Sequence, residues 1–248
     1  MKTQITILLF AIIMIVSACR NEKKQSANAE TTTVVKTDSA LLNGSKTIET
    51  GDPKFPSTGV DAQHFVPNNY KIDLETEGDL NHDNLKDKVI VLINKTDTTD
   101  KRVTLILLKQ QDNTYKLDQK SFAAVEPKYT ADGYQIYETE DVDIDSLGTL
   151  TFQMYGVGPS GNLFSSYKYI DNKLMLININ SYSMGAGGHT ELDLDILKGI
   201  YKETNTNTMK EDMPSETKTK KYKIGTVLFE NSNPKDIVIK AFDVNGVK

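Results

Sequence analysis

Asp79, Asn81 and Asp83 stand at alternate positions in "GDLNHDNLKDKVIVLIN", and Asp87 follows where the apolar run begins. Oxygens at that spacing converge on one point when the chain curls into a short loop. Calcium takes about six to eight such oxygens, from carboxylates, amides, backbone carbonyls and water. In this reading Asp79, Asn81 and Asp83 are the first, third and fifth residues of a Ca2+ loop. Leu85 offers its backbone carbonyl, and Asp87 closes the loop. The carboxylates repel one another without the ion, and the absence of soft ligands argues against zinc. His82 falls between ligand positions, with its side chain directed away. Calcium loops usually turn on glycine at the sixth position. Asn84 stands there instead, and asparagine is the residue after glycine that best tolerates left-handed backbone. The twelfth position is Ile90 rather than glutamate, so the bidentate ligand of an EF-hand is missing. The same residues also suit an Asx-rich turn that holds no metal.

Strands must position that loop. "KVIVLIN" (88–94) is nearly continuous and apolar, as a strand buried on both faces would be. "RVTLILLK" (102–109) follows a polar turn and predicts a hairpin with it. "TYKLDQK" comes next across Gln111-Asp112-Asn113. "YQIYETEDVDID" turns at Ser146-Leu147-Gly148 into "TLTFQMYG". "NLFSSYKYI" turns at Asp171-Asn172 into "KLMLININS", and "HTELDLDIL" alternates. "KYKIGTVLF" and "DIVIKAFDV" read as closing strands around residues 231–234. Short strands with Asx and glycine turns predict a mainly β fold of antiparallel sheets. The architecture expected is a β-sandwich or a partial propeller-like meander with little helix. Residues 202–221 are polar and unpatterned and predict a solvated loop.

The start of the chain carries an address. Lys2 precedes an apolar run over residues 5–16, shorter than the ~20 residues of a membrane-spanning helix. Val16-Ser17-Ala18-Cys19 then resembles the lipobox of bacterial lipoproteins. That resemblance implies cleavage before Cys19 and joining of its thiol to diacylglycerol, with a membrane contact through the N-terminal lipid. Cys19 is the only cysteine, so the domain has no internal disulfide. Residues 1–18 are thus read as a signal peptide, 19–63 as a lipidated, disordered tether, and 64–248 as one mainly β domain. A flexible tether of about 40 residues spans roughly 35 Å. The net charge is −5, and no basic stripe is interleaved with aromatics, which excludes nucleic acid as a partner.

The pattern Asp-x-Asn-x-Asp-x-x-x-Asp, running straight into a strand, resembles the calcium loops of FG-GAP and VCBS-type repeats. "FVPNNYKIDLETEGDLNHDNLKDKVIVLI", with "GTLTFQMYGVG", "YKYIDNKLMLI" and "LDLDILKGIYK", also resembles a group of uncharacterised bacterial lipoproteins. The resemblance implies an envelope lipoprotein of the kind found in Bacteroidota, held at the outer membrane of a Gram-negative cell. It implies no activity. A single copy of the loop does not support a full propeller.

Other motifs fail. Ser160 in "GVGPSGN" lacks the second glycine of a nucleophile elbow, and "SMGAGGHTE" lacks the lysine of a phosphate loop. His64, His82 and His189 share no ligand spacing. The functional expectation is a lipid-anchored binding protein whose partner is an envelope protein or glycan. The alternative is a secreted hydrolase of envelope glycan or peptide, with Asp141 or Asp143 in a cleft. The absence of tryptophan disfavours a carbohydrate enzyme, although 11 tyrosines could serve as platforms.

Overall fold

The computed structural model describes residues 52–156 and 161–246. The signal-like run, Cys19, most of the expected tether and Ser160 lie outside the described residues. Among the described residues, twelve strands and one α-helix make up the fold, in two antiparallel sheets. Of the expected architectures, the two-sheet arrangement is the one found.

The first sheet holds β1 (Thr58–Gly59), β2 (Tyr70–Gly78), β3 (Asp87–Asn94), β4 (Val103–Lys109) and β5 (Tyr115–Ser121). Its order is β1-β5-β4-β3-β2. Alternation divides β3 cleanly. Val89 and Val91 face the main core between the sheets, while Ile90 and Leu92 face a second core on the outer side. Burial on both faces explains why the sequence of β3 shows no polar alternation. The second core is covered by Phe55, Ala62, Phe65 and Val66.

That cover corrects the expected domain boundary. The expected tether includes residues 52–63, yet Thr58 and Gly59 pair with Lys116 and Tyr115 of β5. Asp61 also caps a short 3-10 helix by accepting from the His64 N–H at 2.9 Å.

The second sheet is an uninterrupted meander: β6 (Thr139–Ile144), β7 (Leu150–Tyr155), β8 (Asn162–Ile170), β9 (Lys173–Gly185), β10 (Gly188–Asp195), β11 (Ile200–Asn207) and β12 (Ser215–Lys221). Its inner face supplies Val142, Phe152, Tyr167, Leu176, Ile179, Leu194 and Tyr201 to the main core. The turn at Asp171-Asn172 is as expected, with both residues at positive φ (50° and 60°).

Three further expectations fail. Residues 202–221 are not a loop: they form most of the β11–β12 hairpin, paired from Ile200↔Lys221 to Thr206↔Ser215. Both faces of that hairpin are polar, so no apolar alternation marked it. "DIVIKAFDV" is not a strand but most of the helix α1 (Pro234–Asn245). Asn233 caps it by accepting from the Asp236 N–H, and Pro234 starts the first turn. Its Ala241 is buried in the main core, with Ile237, Val238 and Phe242 packed against it. "KYKIGTVLF" is likewise largely irregular, with one bridge from Leu228 to Met175.

Candidate functional site

The acidic loop forms a tight coil between β2 and β3. His82 (φ 63°) and Asn84 (φ 66°) both adopt the left-handed conformation, so the backbone Asn84 was expected to tolerate is present. Asp79 accepts from the N–H groups of Asp83 (3.1 Å) and Asn84 (2.9 Å). Asn81 accepts from the Asp83 N–H at 3.1 Å, and Asp83 accepts from the Leu85 N–H at 2.8 Å. The last two are Asx-turn bonds, the local reason aspartate and asparagine suit such a coil.

Asp87 is different. It is fully buried, and its two oxygens accept from the Leu80 and Lys109 N–H groups, both at 2.9 Å. It therefore ties the loop to β4. Burial pushes its carboxyl up to about 6; the two N–H bonds oppose this, and the charges of Asp83 and Asp79 add to it.

The β6–β7 turn closes over the loop. A Cβ on Gly148 (φ 68°) would lie 2.9 Å from the Asp79 carbonyl oxygen and 3.1 Å from the His82 ring, so only glycine fits. Among the described residues, no three or more His, Cys, Asp or Glu side chains converge as a metal group. The donors present are all hard oxygens, the type calcium takes. Each oxygen that accepts one N–H retains further lone-pair capacity.

A second site was not foreseen. The outer face of the seven-stranded sheet faces away from the main core, and no described element covers it. Register places Gln153, Phe164, Asn180, Asp193, Lys202 and Thr219 in one row across six strands. The neighbouring row runs Tyr155, Asn162, Tyr182, Glu191, Thr204. Between these rows lies a cleft of about 280 Å3. Asn178 and Asn180 both donate to Oδ1 of Asp193, at 2.7 and 3.1 Å. Phe164 is held edge-on by Tyr155 at 5.0 Å between ring centroids, and Tyr182 by His189 at 5.4 Å.

The sequence held half of this signal. Alternation in β10 marks Glu191 and Asp193 as facing outward. Only the register of neighbouring strands sets them beside Asn180 and Lys202. Asp141 and Asp143, the acids of the hydrolase alternative, are exposed on the edge strand β6. His64, His82 and His189 lie on separate elements: the 3-10 helix, the acidic loop and β10. Comparison with known proteins returned no matching family model, no matching curated protein and no matching solved structure.

Proposed function

We propose that the protein is a lipid-anchored binding protein of the bacterial cell envelope, with the outer face of the seven-stranded sheet as its ligand surface. The observation that carries this reading is the row from Gln153 to Lys202. It gathers two amides, a carboxylate, an ammonium and an aromatic ring on one open face. Such a surface keeps its polar groups available to a partner, whereas a merely solvated face has no need of fixed aromatics. The anchor is supported by the ordered run of Lys2, the apolar residues 5–16 and Val16-Ser17-Ala18-Cys19.

The loop belongs to this reading as a structural calcium site. Asp79, Asn81, Asp83, Asp87 and the Leu85 carbonyl would hold the ion, which would neutralise the acids that crowd Asp87. Its place under Gly148 makes it a clasp between the first sheet and the β6–β7 turn.

Hydrolysis is less well supported. Of the two carboxylates at the cleft, Asp193 is committed to two amide donors, and Glu191 is exposed.

The test is retention of envelope material on the immobilised full chain. Asn180→Arg places a bulky cation in the middle of the row without touching either core. The unaltered chain retains a component that the variant does not. Equal retention by both would remove the sheet face as the binding surface.

A further inference from the structure

We infer that the cleft between Phe164 and Lys202 takes an uncharged, hydroxyl-rich chain, an oligosaccharide. The inference rests on the binding function proposed above and names its ligand class.

Three features select that chemistry. The first is a positioned acceptor. Asn178 and Asn180 both donate to Oδ1 of Asp193, which fixes the carboxylate and leaves Oδ2 uncommitted among the described residues. A fixed, free carboxylate oxygen is a strong acceptor for a hydroxyl. The second is a rigid apolar plate. Phe164 shares a row with Asp193, two strands away, so the two are ~10 Å apart along the sheet. The Tyr155 ring packs edge-on against Phe164 and limits its motion. A sugar ring offers both a hydroxyl rim and an apolar C–H face, so one linked chain serves both residues. The third is charge. Glu191 and Asp193 outnumber Lys202 at the cleft, and no other charged residue lines it. An anionic chain is repelled there, while an uncharged one is not. The cleft volume, about 280 Å3, is near the lower end for small-ligand sites, as suits one or two rings of a longer chain held at an open face.

The experiment uses the full chain in detergent. It is titrated calorimetrically with cellohexaose, maltohexaose, mannohexaose and laminarihexaose, and with hexagalacturonate as the anionic counterpart. At least one neutral hexasaccharide binds, and hexagalacturonate does not. Asp193→Asn replaces the free acceptor oxygen with a donor amide of the same shape, and weakens binding by about tenfold or more. Phe164→Ala does the same by removing the plate. Lys71→Ala, on the other sheet, leaves binding unchanged, and circular dichroism checks that each variant is folded.

Failure of all four neutral probes, binding of the acid alone, or neutral binding indifferent to both cleft variants would overturn the inference. The envelope material retained through the Asn180 face separates this failure from failure of the binding function. Retention abolished by periodate but not by protease agrees with a glycan. Retention abolished by protease alone leaves a binding protein whose ligand is not a sugar chain. No face-dependent retention removes both.

Discussion

Asp73 is the residue that β2 leaves out of register with β3, and its carboxylate accepts from Nη1 of Arg102 at 3.0 Å. Arg102 is fully buried, and it also forks onto Glu140 of β6 (2.8 and 2.7 Å) and donates to the Glu126 carbonyl. Lys128 adds a second cation to Asp73 at 2.7 Å, and Lys235 of α1 reaches Glu126 at 2.6 Å. Three cations thus meet three carboxylates. The bulge at Asp73 re-aims one side chain toward this network, and the network links both sheets to the helix.

Removing Arg102 leaves Asp73 and Glu140 buried without their guanidinium. Breaking a buried pair in that way costs about 3–5 kcal/mol. Arg102→Met therefore lowers the urea midpoint by a corresponding amount. Arg102→Lys recovers only part of the loss, because an ammonium lacks the fork that Glu140 receives. An unchanged midpoint for Arg102→Met would show that the network contributes nothing to stability.

Calcium held by loop 79–87, as proposed, would stabilise the folded chain by linkage. The gain is about 2.7 kcal/mol when the ion is at one hundred times its dissociation constant. Thermal unfolding shifts upward in millimolar calcium relative to chelator, and magnesium does less, since it demands a smaller octahedral shell. Asp79→Ala abolishes the shift. Asn84→Gly keeps it, because glycine adopts the observed φ of 66° without strain. Coincident curves in calcium and chelator, with no heat on titration, would reduce the loop to an Asx turn.

Trimming the N terminus has two distinct outcomes. A fragment starting at residue 52 melts with the untrimmed chain. One starting at residue 64 loses β1, the Asp61 cap, and Phe55 and Ala62 from the second core. Its stability falls by on the order of 3 kcal/mol, the scale of one large apolar side chain with its neighbour. Equal melting of the two fragments would mean that the cover is dispensable.

Alkali weakens the fold through buried phenols. Burial pushes Tyr167 up to about 12, while an unfolded tyrosine ionises at about 10. Tyr137, Tyr169 and Tyr201 are also raised, first by burial and then by Glu126, Asp118 and Glu203 beside them. The folded state keeps these protons after the unfolded state has lost them. Stability is therefore full below about pH 10 and is lost as pH rises toward about 12, with Tyr167 alone accounting for about 3 kcal/mol. Guanidinium unfolding across that window shows the fall, and Tyr167→Phe makes it shallower. A flat profile would contradict the burial of these phenols.

The anchor is checked separately. Cys19→Ser leaves the precursor uncleaved and removes palmitate labelling from the envelope fraction. Labelling that persists in the variant would place the lipid elsewhere.

The hairpins were legible where apolar pattern and turn residues agreed, as in β3–β4 and at Asp171-Asn172. They were illegible where polar side chains face inward. Glu203 of β11 is buried because Tyr201 and Asn205 donate to it, so its strand lacks an apolar stripe. The helix was misread for the opposite reason. Ile237, Val238 and Ile239 are β-branched and read as strand, although Asn233-Pro234 is a helix start and Val238, Ala241 and Phe242 fall at helical spacing. The turns of the acidic loop were legible because Asp79, Asn81 and Asp83 accept from backbone N–H groups close by in sequence, whereas the tie from Asp87 to Lys109 was not. Nor was the cleft, because its row crosses six strands whose registers, including the bulge between β8 and β9, the sequence does not display.

The segment that covers the second core also makes the two outer faces of the fold unlike each other. Phe55, Ala62 and Phe65 lie on the outer side of the first sheet. The polar rows lie on the outer side of the second, with the whole thickness of the main core between. The two outer faces of the fold therefore differ in kind: one is closed by apolar residues from 55 to 66, and the other presents the polar row from Gln153 to Lys202.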